Sequence, residues 1–250
     1  MALTREQLAA AFRDLGVEAG DVLLVHSSFK SLGDVDGGPR AVIGALEDAL
    51  GPEGTLVVPT FNFDFCRGAA FDARTTPSHM GVLTELVRTD ERSGRVAHPI
   101  YSFSAIGARS ADCEAICNVS SYGADSLFAK LREWDGKIMV IGLSYNHSMT
   151  FFHHVEEIEG CDYRYVKPFT GEYTGLDGVT STRTFTMLVR DLDRGVETEV
   201  DPMGELLAAR GIIRSALIGA GTVRLMKANE VYESTAVEMR RDPALLRQVA

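Results

Sequence analysis

Apolar positions along the chain follow two periods, and their alternation predicts the architecture. Thr4-Arg5-Glu6-Gln7 is a capping-box pattern, and Leu8, Phe12 and Leu15 continue it at helical spacing as far as Gly16. Residues 21–26 and 55–59 are short, continuous apolar runs, as in strands buried on both faces. Between them a helix starting near Pro39 keeps Val42, Ile43, Leu46 and Leu50 on one side. This order predicts a βαβ crossover with parallel strands, normally right-handed. Residues 61–77 are irregular and aromatic-rich, and Ser78 reads as the N-cap of a helix with Met80, Leu83, Leu86 and Val87 as its stripe. Residues 97–106 form a turn into a strand, and helical patterns follow at about 109–117 and 126–133.

The second half opens with an apolar strand at 137–142 that ends in a glycine turn, followed by a helix over 150–157. Residues 161–167 have β composition, 170–180 hold three glycines and read as a hairpin loop, and 182–190 alternate like a half-exposed antiparallel strand. A helix near 202–210, a strand at 213–219 and a helix at 228–241 close the chain. The expectation is an α/β fold, a single domain over 1–250. Its central, partly parallel mixed sheet is flanked by helices, with the antiparallel part in the C-terminal half. No repeat, low-complexity tract or linker interrupts it.

Composition narrows the partners. Hydrophobic residues make up 45% of the 250 and charged ones 24%, ordinary for a globular chain with a real core. A formal charge of −10 argues against nucleic acid, because phosphate binding needs a basic surface. It suits a cationic substrate, and it equally suits plain solubility. The N-terminus lacks the succession of a signal peptide, and no apolar run approaches the ~20 residues of a membrane span. The four cysteines, at 66, 113, 117 and 161, make neither a zinc pattern nor a disulfide framework. A cytoplasmic protein with reduced thiols and no membrane partner is expected.

Candidate chemistry centres on Thr150-Phe151-Phe152-His153-His154-Val155-Glu156-Glu157. On a helix His153 and Glu156 share a face, and His154 and Glu157 share a neighbouring one. A carboxylate beside an imidazole fixes its tautomer and supports a proton-accepting role. Two histidines satisfying a core or a surface is the other reading. In the loop after the first strand, Ser27, Ser28, Lys30, Ser31, Leu32 and Gly33 can turn N–H groups and hydroxyls toward an anion, or form an ordinary turn. The same alternatives hold for the helix start at Ser78. The loop at 27–33 is neither a Walker loop nor a dinucleotide fingerprint. His26 either points into the same crevice or is a core histidine, and His98 is held extended before a proline. His79 and His147 read as surface residues, and Tyr163, Tyr165 and Trp134 as packing. Asp64, Asp72, Asp162 and Glu172 are candidate contacts for a cationic acceptor or solvated loop charges.

Several motifs in one order resemble the aminoglycoside 3-N-acetyltransferase family. They are His26-Ser27-Ser28-Phe29-Lys30-Ser31-Leu32-Gly33 with Gly37-Gly38, and Gly51-Pro52-Glu53-Gly54 with its strand to Thr60. Asp72-Ala73-Arg74-Thr75-Thr76-Pro77-Ser78-His79-Met80-Gly81 and His98-Pro99-Ile100-Tyr101-Ser102-Phe103-Ser104-Ala105 follow. The strand from Gly136 to Gly142, the Thr150-x-x-His153-x-x-Glu156 helix and Arg224-Leu225-Met226-Lys227-Ala228 complete the set. The resemblance implies an acetyl-CoA-dependent N-acetyltransferase, with His153 as base and Glu156 as its orienting partner. It implies a CoA site lined by the loop from Ser27 to Gly33 and by Thr76, Ser78, Met80 and Gly81, with His26 beside it. The implied acceptor is an amine of an aminoglycoside or related amino sugar, as in antibiotic inactivation, or a different biosynthetic amine.

The family usually carries an apolar residue at position 154, so the choice between the two histidines stays open at this level. No cysteine sits where a covalent acyl intermediate needs one, so direct transfer is expected, with N–H groups of the loop at 27–33 as candidate donors to the thioester oxygen. No metal is expected, and the oligomeric state is monomer or homodimer. Readings from other classes are a metal-dependent hydrolase using His153, His154 and Glu156, and a non-catalytic module that binds CoA or an amine. A serine hydrolase is the weakest, because Gly142-Leu143-Ser144-Tyr145-Asn146 lacks the second glycine of a nucleophile elbow.

Overall fold

The computed structural model describes residues 2–249. Its first part runs α1 (Arg5–Leu15), β1 (Val22–Ser27), α2 (Gly38–Leu50), β2 (Thr55–Pro59), β3 (Phe71–Asp72) and α3 (Val82–Arg88). Then come β4 (Gly94–Val96), β5 (Phe103–Gly107), α4 (Ser110–Glu114), α5 (Leu127–Glu133), β6 (Lys137–Ile141) and α6 (Phe151–Glu159). The last part holds β7 (Arg164–Thr174), β8 (Thr180–Arg190), β9 (Val196–Thr198), α7 (Asp201–Ala209), β10 (Arg214–Ile218), β11 (Gly221–Lys227), α8 (Ala228–Arg241) and β12 (Arg247–Val249).

Seven strands form the central sheet in the order β10-β11-β6-β1-β2-β5-β4. Only β6, β1 and β2 pair in parallel, and they occupy its middle. Antiparallel pairing is not confined to the C-terminal half: β11 and β10 flank one side, β5 and β4 the other. The strand β11 was hidden because Gly219-Ala220 makes a two-residue hairpin turn, with Gly219 at φ +62°. Short β4, β9 and β12 carry too few residues for a periodic signal.

The continuous apolar runs have a simple cause, since both sheet faces are covered. Leu23, Val25, Leu56, Val58, Met139 and Ile141 pack on the side of α1 and α2. Val22, Leu24, Val57, Ile138 and Val140 pack on the side of α5, α6 and α8. Fully burying one such aliphatic side chain contributes about 1.5–3 kcal/mol. The period of two places His26 with Val22 and Leu24, on the face that α6 covers.

Two local readings change. The helix assigned to Ser78 begins at Val82, because Gly81 at φ +115° breaks the turn before it. Ser78 instead donates its N–H to Glu85 Oε2 and accepts the Met80 N–H on its hydroxyl, so it is no free anion cap. Strands β7 and β8 form an eleven-residue-per-strand hairpin in register from Arg164↔Arg190 to Thr174↔Thr180, so its loop is only 175–179. No helix among the described residues is long and apolar enough to cross a membrane.

Candidate active site

Parallel strands end together, and segments leaving their carboxyl ends meet at one edge. Ser27 lies beside Ile141 and Pro59 beside Phe103, so residues 28–33, 60–63, 101–102 and 142–150 gather there. The last of these segments delivers α6. Gly142 makes that exit possible: it sits at φ +64°, and a Cβ there would stand 1.7 Å from Ser31 Oγ. Gly142→Ala is expected to cost about 1–3 kcal/mol in denaturant unfolding, from strain plus overpacking. Gly160→Ala should cost less, because it shares a positive φ but has nothing within 4 Å. Equal losses would remove the steric argument.

On α6, His153 Nδ1 lies 2.6 Å from Glu156 Oε2. The Glu156 side chain is 0% exposed, and the His153 side chain 14%. Chain reversal at Gly160 brings the start of β7 back along the helix. There the Tyr163 hydroxyl donates to Glu156 Oε1 at 2.8 Å, and Arg164 Nε lies 3.0 Å from Oε2. Burial works against the carboxylate, but His153, Arg164 and Tyr163 together outweigh it and hold its pKa below the ordinary value. For His153, burial and the nearby Arg164 charge push the pKa down against the pull of Glu156. The shift favours the neutral ring, with Nδ1–H donating to Glu156 and Nε2 without a protein partner among the described residues.

His153 opens onto a cleft of about 470 Å³ whose walls include Phe63, Tyr101, Tyr122, Asn146, Thr150, Arg164, Met187, Arg190 and Thr198. The Tyr122 ring stands edge-on to the imidazole at 5.3 Å between centroids. His154 points elsewhere. Its Nδ1–H donates to the Tyr122 carbonyl at 2.6 Å, and its ring packs among Phe128, Phe151 and Tyr232. Burial pushes its pKa down to about 4. A shared ligand set of His153, His154 and Glu156 therefore has no geometric basis. No group of three or more His, Cys, Asp or Glu suited to a metal occurs among the described residues.

None of the residues expected at the CoA site lines this cleft. His26 is buried at 5%, edge-on to Phe61, with Nε2 unpartnered and its pKa pushed down to about 4 by burial. In the following loop the Ser28 N–H donates to Ile141 O, the Ser31 N–H and Oγ to Ser28 O, and the Gly33 N–H to Lys30 O. Those amides and that hydroxyl are spent on the turn. Leu32 belongs to the core on the α1 and α2 side. Lys30 is exposed and has no ion-pair partner among the described residues. Thr76 Oγ1 accepts from the Asp72 N–H, Met80 packs half-buried on the core, and Gly81 is exposed. This segment is tied to the one before Phe63 of the cleft wall, since Asn62 Nδ2 donates to Pro77 O and the His79 N–H to Phe61 O.

Other assignments resolve by contact. His98 is a satisfied core histidine: Nδ1 accepts from the Ile100 and Tyr101 amides, and Nε2–H donates to Val119 O. Asp64, Asp72 and Asp162 pair with Arg67, Arg74 and Arg194, away from the cleft walls. Sequence reasoning missed three contributors. Tyr163, read as packing, holds Glu156. Arg164 lay unremarked within a β-rich run. Buried Arg95 clamps the carbonyls of Ala73 and Thr76 and the Ser102 hydroxyl, fixing the segment ahead of Pro77. Only the position of Tyr163-Arg164 just past a helix-ending glycine hinted at such a role.

The same fold and order of elements occur in known proteins. Residues 24–240 match the family described as Aminoglycoside 3-N-acetyltransferase. Aminoglycoside N(3)-acetyltransferase VII of Streptomyces paromomycinus is 28% identical, the match covering 92% of this chain and 89% of that protein. The crystal structure of aminoglycoside acetyltransferase AAC(3)-Xa superposes with a TM-score of 0.86 at 26% identity, over 96% of this chain and 93% of that one. AAC-IIIb in a binary complex with CoASH superposes at 0.84 with 25% identity, over 96% and 97%. This chain belongs to the aminoglycoside 3-N-acetyltransferase family.

Proposed function

We propose that this chain transfers an acetyl group from acetyl-CoA directly to an amine of an aminoglycoside or related amino sugar, with His153 as the general base. The observation that carries the reading is the His153 ring, held at Nδ1 by a fully buried carboxylate and lining a cleft. An acceptor amine arrives mostly protonated and must lose protons as it attacks. His153 Nε2 takes the proton, and Glu156 stabilises the imidazolium that forms. Arg164 and Tyr163 hold Glu156 in place, so the imidazole is aligned before the acceptor arrives.

Acetyl-CoA supplies the activated thioester; attack on its acyl carbon forms the amide bond as the carbon–sulfur bond breaks and the thiolate leaves. Lys30, exposed and unpaired among the described residues, and the Ser27 and Ser28 hydroxyls suit the phosphates of that donor, and a neighbour bound to CoASH supports CoA as the donor. Direct transfer fits the thiols. Burial pushes Cys66 and Cys161 up to about 11 and Cys113 up to about 12, and no cysteine lines the cleft. The test is thiol release from acetyl-CoA against a panel of amines. Amine-dependent release is expected; no release with any amine, together with no acetyl-CoA association by calorimetry, would end this reading.

A further inference from the structure

A second cavity, of about 330 Å³, shares no lining residue with the His153 cleft. It lies between the segment that follows α4 and the turn end of the β7–β8 hairpin. One strap runs from it to the cleft. Cys117 and Asn118 line the second cavity, whereas Tyr122 lines the cleft and stands edge-on to His153. Between them the Thr186 N–H donates to Val119 O and the Ser121 N–H to Thr186 O, tying the strap to β8.

Charges of both signs line this cavity without closing on one another. Arg183, half-buried on β8, lies over the Tyr173 ring at 4.8 Å and the Phe185 ring at 5.0 Å, and both rings are buried. The two ring faces hold the guanidinium in place. Its N–H groups have neither an ion pair nor a hydrogen bond among the described residues. Glu114, at the end of α4, and Asp177, in the hairpin turn, supply the opposite sign. Neither has an ion-pair partner among the described residues, and Asp177 Oδ1 accepts the Val179 N–H. The buried Asn118 amide spends Nδ2 on the Ser120 carbonyl and leaves Oδ1 without a partner among the described residues. Ile116, Leu176 and Val179 add apolar wall, with Val179 61% exposed.

A guanidinium held by aromatic faces receives a carboxylate through two parallel N–H···O bonds, and carboxylates receive an ammonium group. A ligand of one sign alone meets repulsion from the other set. We infer that this cavity is a second binding site, separate from the acetyl-transfer cleft, and that it takes a free aliphatic α-amino acid. The ligand carboxylate lies on Arg183, its ammonium group toward Glu114 and Asp177, and its side chain against Ile116, Leu176 and Val179.

Cys117 gives the site its own reporter. It is exposed on the cavity wall, whereas Cys113 is buried, Cys66 and Cys161 are half-buried, and no cysteine lines the His153 cleft. The full chain is alkylated with iodoacetamide, and labelling of Cys117 is followed by mass spectrometry with and without L-valine. Saturating L-valine should slow labelling by about tenfold or more and bind once per chain by calorimetry. Isovalerate and isobutylamine each keep one of its charges and should bind about 10–100-fold more weakly, the worth of one charge-assisted contact. Arg183→Gln should weaken L-valine by a similar factor and leave acetyl-transfer turnover unchanged. Asp177→Asn, at an exposed turn position that keeps the oxygen facing the Val179 N–H, should weaken it too and serves as the second variant should the first disturb the hairpin. No protection and no heat with L-valine would overturn the inference. So would isovalerate binding as tightly as L-valine, or an L-valine affinity unchanged in both variants.

Discussion

Replacing His153 by alanine is expected to lower kcat by about 10²–10⁴-fold, the range a positioned general base contributes. Acetyl-CoA affinity should stay unchanged by calorimetry, because no residue assigned to the donor touches the imidazole. The adjacent histidine supplies the control. His154→Phe replaces a ring packed among Phe128, Phe151 and Tyr232 and gives up one hydrogen bond to the Tyr122 carbonyl. That change should leave kcat within a few-fold and shift stability by about 1 kcal/mol in either direction. If the His154 variant loses turnover and the His153 variant keeps it, the assignment is reversed.

Glu156→Gln carries the largest expected effect on stability. The carboxylate is fully buried and faces His153, Arg164 and Tyr163 at once. Making it neutral leaves the Arg164 guanidinium, 4% exposed, without its counter-charge. Breaking a buried pair from one side costs about 3–5 kcal/mol. Turnover should fall as well, since the amide no longer selects the Nδ1–H tautomer. Urea unfolding and thiol-release rates check both parts; a variant of wild-type stability would show that the pair is not a structural anchor. The pH dependence follows the same group. Its folded pKa is depressed, so its contribution is complete above the unfolded value of about 4.3 and is lost as pH falls through the folded one.

Much of this architecture is written in local patterns. The capping box at Thr4, the two-sided apolar runs of β1, β2 and β6, and the three-residue spacing of His153 and Glu156 each need only neighbours in sequence to be read. What escaped depends on contacts between distant segments. Tyr163 and Arg164 acquire their role because Gly160 turns the chain back along α6, and Arg95 because the segment at 73–76 folds over it. The choice between the two histidines was likewise invisible, since helical spacing gives each a glutamate and only the surrounding aromatic rings separate cleft from core. Ser78 misled because a cap residue with a stripe behind it looks the same whether the helix starts there or, as here, beyond a left-handed glycine.

The central claim is that neutral His153 accepts the amine's proton in the ternary complex. The pH dependence of kcat at saturating acetyl-CoA and amine tests it most directly, because kcat reports groups in the bound complex. Burial and Arg164 depress the imidazole, so the rising limb should have its midpoint below the ordinary histidine value of about 6.5 and should vanish in His153→Ala. A rising limb of the same midpoint in both proteins would contradict the account.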